Sequence, residues 1–179
     1  MTASTLLKYA LACTLLLPAF GCNSKSAPTS ENFIEGLNKH FLDHPDCLLS
    51  NVRFPYETSD RKETAQMDSL VKAQLLEKAV EMSIHVSRYT VSATGTRYAP
   101  RFCYGHRVVN TIEHFTPPAP ANGFNETQVT YRYSMQEVPV WAKSPEVLAA
   151  FPAMAQVISG NATGVATLAQ THVGWQVPD

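Results

Sequence analysis

The stretch VTYRYSMQ, residues 129–136, alternates apolar and polar side chains with a period of two. In a β-strand this period places the two sets on opposite faces. We expect one face, carrying Val129, Tyr131, Tyr133 and Met135, to be buried and the other to be wetter. The segment therefore predicts an antiparallel sheet with one buried face.

Neighbouring segments extend this sheet. Residues 85–91 and 101–115 are rich in Val, Ile, Tyr and Phe, and the turn residues 93–96 between them predict that the two segments pair. Residues 165–177 alternate again, and we expect them to close a sheet of about four strands. The segment at residues 115–123 contains three prolines, which exclude it from a central strand and predict a surface loop.

In the last predicted strand, every second residue from Val165 onward lies on one face. The residues on it are Val165, Thr167, Ala169, Thr171, Val173 and Trp175.

Two amphipathic helices are predicted before the strands. The first spans residues 30–44, has Ser30 as its N-cap and ends before a proline. The second begins at the capping pair Asp60 and Glu63 and runs to about Val80, with apolar residues at helical spacing. We expect both helices to pack on the sheet.

These elements define the fold class. Ser144 followed by Pro145 predicts a further short helix, which Pro152 ends or kinks. The chain is predicted to form one α+β domain at residues 31–179, with two N-terminal amphipathic helices packed on a curved antiparallel sheet of about four strands.

Composition agrees with one globular domain. The chain has 179 residues, of which 45% are hydrophobic and 16% charged, so it is too apolar to be disordered. Its net charge is -1, and loss of Lys8 with a leader would make it -2. Such a charge gives no general attraction to nucleic acid or to anionic lipid, and we expect no nucleic-acid partner.

Residues 1–21 are organised like a secretory signal peptide. Lys8 is their only charge, and the apolar run that follows is too short to cross a bilayer as a helix. The exit sequence Ala19-Phe20-Gly21-Cys22 resembles the bacterial lipobox, although that motif usually has Leu at position 19 and a small residue at position 20. This resemblance implies cleavage before Cys22 and a lipid anchor on that cysteine. The alternative is an ordinary cut at the same place without acylation.

The segment after the cleavage site predicts a tether and a location. Residues 22–30 are polar, small and contain a proline, as is typical of a flexible linker. Position 23 is Asn rather than Asp, and in the Gram-negative families that this leader resembles the missing aspartate implies sorting to the outer membrane. We therefore expect a lipid-anchored protein at the periplasmic face of that membrane. Its expected partners are the membrane, through the anchor, and envelope proteins or a small molecule.

Cysteine usage points to one disulfide. Cys13 leaves with the leader and Cys22 is the predicted anchor, so Cys47 and Cys103 remain in an oxidising compartment. We expect a disulfide between them, which would contribute about 4 kcal/mol on a chain-entropy argument. A metal pair or a reactive thiol is the alternative.

A pair of histidines is the strongest metal-binding pattern. His40 and His44 are four residues apart on the first helix, on the side predicted to face the body, and Asp43 and Asp46 are possible oxygen ligands. Helix packing or capping is the alternative, because cations are favoured in the last helical turn. If the metal is real, these histidines belong to a metal-dependent envelope enzyme.

Polar and aromatic residues also cluster around Gly105. Tyr104, His106 and Arg107, with Arg101 nearby, form a predicted site for an anionic group. The alternative is a solvated strand end. Neither the G-x-S-x-G motif nor a Gly-rich phosphate loop occurs in the sequence, so we predict no catalytic residues, no cofactor and a non-enzymatic binding or interaction role.

Two further resemblances bear on partners. Residues 70–76 followed by 89–95 resemble the helix, strand and wing of winged-helix transcription regulators, with Gln74 where those families place Gly. Export and the negative net charge argue against the DNA binding that this implies. Residues 102–105 and 138–142 resemble small envelope proteins associated with carbapenem biosynthesis clusters, which implies a small-molecule resistance or immunity binding protein.

Overall fold

The structure is a computed structural model that describes residues 24–160 and 162–178. The predicted signal peptide and the predicted anchor Cys22 lie outside these residues. The helices are α1 (Ser30–Asp43), α2 (Arg61–Lys72), α3 (Pro145–Ala150) and α4 (Pro152–Ile158). The strands are β1 (Tyr56–Thr58), β2 (Leu76–Glu81), β3 (Val86–Val91), β4 (His106–Phe115), β5 (Ala119–Ala121), β6 (Phe124–Gln136), β7 (Ala162–Thr171) and β8 (Gly174–Gln176). The predicted α+β class is confirmed.

Two antiparallel sheets share these strands. The larger sheet has the order β4-β6-β7-β8 and is curled. The short strand β5 pairs with the start of β6, so part of the predicted loop at residues 115–123 is an edge strand. The smaller sheet has the order β1-β3-β2. In the part of the chain that is described, no helix has the length and apolar character needed to cross a membrane.

The first helix fills the curl of the larger sheet. Thr29, not Ser30, is its N-cap and accepts from the N–H of Asn32. The apolar side of α1 packs against the inner face of β6, where Val129, Tyr131 and Tyr133 are buried as predicted. The buried residues of α1 are Phe33, Leu37 and Phe41.

The second helix is shorter than predicted. Asp60 is its N-cap, as expected, but the helix ends at Lys72 because Gln74 adopts a left-handed conformation with φ 62°. Leu76–Glu81, predicted as the end of the helix, is strand β2 and pairs with β3 over its whole length. Pairing with β3 therefore overrides a segment whose Leu, Glu, Lys and Ala favour a helix.

Two predicted contacts between elements are wrong for the same reason. β3 pairs with β1 and β2, not with β4, which pairs with β6. α2 packs on α3 and β2 instead of on the larger sheet. Once residues 76–81 form a strand, they pair with one edge of β3, the strand that was predicted to pair with β4. This pairing also brings α2 to a second hydrophobic core. The fully buried members of that core include Leu70, Leu75, Tyr89, Phe102 and Val147.

The last predicted strand is a hairpin of two strands, β7 and β8, and the alternating set that begins at Val165 faces outward at the start of β7. Residues 172–173 form the turn between β7 and β8. Val165 is 58% exposed, whereas Leu168 is fully buried. The inner face near the start of β7 carries Gly164, which has no side chain, and Ala166, which has only a methyl group, and this makes room for large side chains on β6. An alternation of small apolar residues does not reveal which set faces inward.

The segment before α1 lies against the domain. Gln170 Nε2 donates to the carbonyl oxygen of Ser26 at 2.8 Å, and Trp175 Nε1 donates to that of Ala27 at 3.1 Å. Lys25 forms an exposed ion pair with Glu35 at 3.1 Å. Part of the predicted tether, from residue 24 onward, therefore contacts β7, β8 and α1.

Candidate binding groove

Asp46 and Arg107 form a bidentate ion pair at the rim of the larger sheet. Arg107 Nε donates to Asp46 Oδ2 at 2.9 Å, and Arg107 Nη2 donates to Asp46 Oδ1 at 2.8 Å. Only 28% of the Arg107 side chain and 17% of the Asp46 side chain are exposed. A guanidinium fork matched to a carboxylate is the strongest geometry for such a pair, so both side chains are held in place.

Aromatic rings enclose the guanidinium. Its carbon lies 4.9 Å from the ring centre of Tyr133 on β6 and 5.4 Å from that of Phe41 on α1. Rings at these distances attract a cation and exclude water from its faces. Arg107 is therefore the point where α1, β4 and β6 meet.

The segment that carries Asp46 is fixed to the strand that carries Arg107. Asp46 and Leu48 donate backbone hydrogen bonds to Gly105 and Phe102, at 2.9 and 3.2 Å, and Tyr104 donates to Asp46 at 2.8 Å. Between these bonds lies the predicted disulfide, Cys47 to Cys103, which is present in the structure. A covalent bond, an ion pair and backbone bonds thus join the same two segments.

Three pKa values respond to this arrangement. Hydrogen bonds to the Asp46 carboxylate raise the pKa of Arg107 above its ordinary value, against the opposing effect of burial. Burial, with a smaller contribution from the charge of Asp46, raises the pKa of Tyr104 to about 12. Burial also raises the pKa of Tyr131. The guanidinium is therefore charged and the two tyrosines are neutral at physiological pH.

A groove of about 400 Å³ opens beside this ion pair, between the end of α1 and β7. We call it the α1–β7 groove. Its lining residues are His40, Phe41, Arg107, Tyr131, Val165, Ala166, Thr167, Val177 and Pro178. Apolar walls with a few fixed polar groups are the usual composition of a ligand pocket, and this volume is in the usual range.

A glycine on β7 makes room for the tyrosine that lines the groove. Tyr131 and Gly164 are cross-strand partners on β6 and β7. A Cβ atom added to Gly164 would lie 2.5 Å from the Cζ atom of Tyr131, so the ring rests directly on the glycine. Any larger residue at position 164 would displace the ring.

The predicted anion site is brought together only in part. Arg107 pairs with Asp46, and Tyr104 lies close enough for the charge of Asp46 to act on its pKa. His106, which precedes Arg107 on β4, points to the opposite face, where its Nδ1 lies 3.5 Å from Glu137 Oε2. Arg101 is exposed and pairs with no acid in the described residues. Because Asp46 offsets the charge of Arg107, the site carries no strong net positive charge.

The two histidines on α1 stack instead of converging on one point. Their ring centres are 4.2 Å apart and the ring planes differ by 18°. His44 is exposed, contrary to the prediction that it faces the body, and its Nδ1 donates to the carbonyl oxygen of His40 at 2.8 Å. Residues 24–160 and 162–178 contain no cluster of three or more metal-ligating side chains. Metal binding by His40 and His44 therefore stays a prediction that depends on two ligands.

Sequence reasoning missed the partner of Arg107 and the rings around it. The sequence pattern predicts Asp46 only as a possible metal ligand and the tyrosines of β6 only as part of a buried face. One signal is present in the sequence: Asp46 precedes Cys47 and Tyr104 follows Cys103, so the expected disulfide brings Asp46 close to Tyr104, three residues before Arg107. No protein-family model, curated protein or solved structure matches this chain.

Proposed function

We propose that this protein is a lipid-anchored, non-enzymatic binding domain of the bacterial cell envelope, which engages its partner through the α1–β7 groove. The observation that carries the proposal is the groove itself. It is open to solvent, and its polar group Arg107 is already held by Asp46 and two rings. Preorganised side chains in an accessible concave surface suit binding, because little ordering is needed when a partner arrives.

The disulfide supports the location. Cys47 and Cys103 are bonded, and such bonds persist in oxidising compartments. With Cys22 acylated, a single residue separates the anchor from Ser24, and the residues that follow contact the domain. The domain would then be held close to the membrane surface rather than on a long tether.

Intact-mass measurement of the protein isolated from envelopes tests the location. We expect a chain that begins at Cys22, carries the added mass of acyl chains, and gains two hydrogens on reduction of one disulfide. A cytosolic protein that retains Met1 and has free thiols at Cys47 and Cys103 would refute an envelope role.

Photocrosslinking in the producing cell tests the binding role. A photoreactive benzoylphenylalanine at Thr167, an exposed residue that lines the groove, should give a discrete protein adduct. The matched control carries the same group at Val140, which is 88% exposed and outside the groove. Equal adducts at both positions, or none at Thr167, would contradict a protein partner in the groove.

A small-molecule resistance or immunity binder is the second candidate function. The volume of the groove, about 400 Å³, favours it, because pockets for small ligands have this size. A small ligand gives no protein adduct at Thr167. The crosslinking result therefore separates the two candidates.

A further inference from the structure

One edge of β7 lacks a partner strand over most of its length. β6 pairs with the other edge of β7 over Ala162–Ala169. Among the strands of residues 24–160 and 162–178, only β8 pairs with the outer edge, and only at residues 169–171. About five residues of β7, numbers 163–167, are left beside the α1–β7 groove and span roughly 17 Å.

Hydrogen bonds on β6 show which backbone groups of β7 point to this edge. The N–H of Gln128 donates to Thr116 Oγ1 at 3.0 Å, and its carbonyl accepts from the N–H of Thr116 at 3.0 Å. Gln128 therefore faces the β4 side, and its neighbour Val129 faces β7, because backbone groups alternate along an antiparallel strand. Ala166 is the partner of Val129, so Ala166 faces β6 and both its neighbours turn their N–H and C=O groups outward.

The β7–β8 hairpin independently shows that the same backbone groups of β7 point to the outer edge. Thr171 and Gly174 flank the two-residue turn, so their backbone groups face each other. Counting back in steps of two, Thr167, Val165 and Thr163 present their N–H and C=O groups on the side of β8. Three donors and three acceptors are thus available to an added strand.

The free edge lacks the charged residues, the proline and the bulge that commonly protect sheet edges from pairing. Residues 162–168, ATGVATL, contain no charged residue and no proline. Natural edges are usually protected by lysine, proline or a bulge. An unprotected edge beside a pocket is the arrangement that proteins use to bind peptides by strand addition.

The shape of the groove distinguishes between two possible strands. If β7 of a second copy paired here in register, its inward residues would be Gly164 and Ala166, which are too small to fill about 400 Å³. A strand with large inward side chains would fill it. Phe41, Tyr131 and Val177 offer apolar contacts, and the Asp46–Arg107 pair adds no net charge.

We propose that residues 163–167 of β7 accept an extended peptide segment of a partner protein as an added antiparallel strand, in line with β8. Large apolar side chains of that segment occupy the α1–β7 groove. This inference rests on the proposed binding role and specifies the chemistry of the partner: an extended, uncharged segment in which apolar residues alternate with small polar ones.

Binding of a synthetic peptide to the mature, oxidised domain tests the inference. The probe is acetyl-Lys-Thr-Phe-Thr-Phe-Thr-Lys-amide with a fluorescent label, and fluorescence anisotropy measures its binding. Its uncharged core, Thr-Phe-Thr-Phe-Thr, matches residues 163–167 in length, and the two lysines lie outside that core for solubility. One control replaces both Phe residues by Ala, and another carries an N-methyl group on the central Thr, which removes the N–H that faces Val165. We expect saturation below about 1 mM for the probe and at least about tenfold weaker binding for both controls.

A matched pair of protein variants tests the edge itself. Val165→Pro removes one outward N–H without removing a bond to β6, and Val165→Thr keeps that N–H. We expect Val165→Pro to bind the probe at least about tenfold more weakly than Val165→Thr. If Val165→Pro does not fold, the N-methyl peptide on the unaltered protein decides the same point.

Three results would overturn the inference. They are a probe that does not saturate, equal binding of the N-methyl peptide, and a concentration-dependent dimer in sedimentation that Val165→Pro abolishes, since the last makes a second copy the occupant. A protein adduct at Thr167 combined with equal binding of the N-methyl peptide removes strand addition but retains the proposed function. Absence of both the adduct at Thr167 and peptide binding removes strand addition and also the protein partner of the proposed function.

Discussion

The Asp46–Arg107 pair is the residue-scale contact on which the groove depends. Both side chains are mostly buried, so removal of one charge leaves the other without its partner in a poorly solvated place. We expect Asp46→Asn to lower the free energy of unfolding by about 1–3 kcal/mol. Urea denaturation at neutral pH measures this change.

A surface pair in the same sheet is the control for that variant. Glu113 and Arg132 interact across β4 and β6, but their side chains are 32% and 53% exposed. Glu113→Gln should cost less than about 1 kcal/mol, because water screens exposed pairs. Equal losses for Asp46→Asn and Glu113→Gln would show that burial does not strengthen the Asp46–Arg107 pair.

Tyr104 makes the stability depend on pH in the alkaline range. Burial raises its pKa to about 12 in the folded protein, from an ordinary value of 10.0. Between these values the folded state binds more protons than the unfolded state, so the free energy of unfolding falls as pH rises from about 10 to about 12. Tyr104→Phe should weaken this fall, which denaturation at a series of pH values measures. An unchanged slope would assign the effect to other tyrosines.

At the scale of elements, α1 and β8 approach so closely that only glycine fits between them. A Cβ added to Gly36 would lie 2.2 Å from the carbonyl oxygen of Trp175. Helix propensity alone predicts that Gly36→Ala stabilises α1 by about 1 kcal/mol. The close contact reverses the sign, and we expect a loss of about 1–3 kcal/mol in thermal or urea unfolding.

The control for Gly36→Ala is on the same helix. Lys39 is exposed, so Lys39→Ala should change the free energy of unfolding by less than about 0.5 kcal/mol. A Gly36→Ala protein more stable than the unaltered chain would mean that α1 shifts away from β8 at little cost.

At the end of α2, replacement of a residue by glycine is expected to stabilise the protein. Gln74 adopts a left-handed conformation just after the helix, where glycine is the usual residue. We expect Gln74→Gly to raise the free energy of unfolding by roughly 0.5–1 kcal/mol, measured by urea denaturation, because the strain of a Cβ in this conformation is relieved. Gln74→Ala retains the strain and should give no gain. Equal effects of the two variants would contradict this explanation.

For the whole molecule, the disulfide ties the segment after α1 to the start of β4. Its two cysteines are 56 residues apart, so the bond restricts a large part of the unfolded chain. We expect the Cys47→Ser, Cys103→Ser double variant to lose about 4 kcal/mol relative to the oxidised protein. The reduced, unaltered protein is the control and should unfold like the double variant. A loss below about 1 kcal/mol would mean that the ion pair and backbone bonds suffice.

The sequence alone determined the features that depend on local pattern or covalent chemistry. The period of two at residues 129–136 predicted the buried face of β6, because alternation fixes the two faces of a strand wherever it forms. The stripe on α1 and the cap at Asp60 were likewise local. With Cys13 and Cys22 predicted to belong to a leader and an anchor, Cys47 and Cys103 are the two cysteines that remain, and they predicted one disulfide.

Tertiary structure decided what depends on distant partners. Leu76–Glu81 is compatible with a helix, and only pairing with β3 makes it a strand. Asp46 and Arg107 are 61 residues apart, and no local pattern links them. The inward face of β7 depends on the room that Tyr131 needs above Gly164. Each of these outcomes is a contact between elements, whose energy the sequence of one element does not contain.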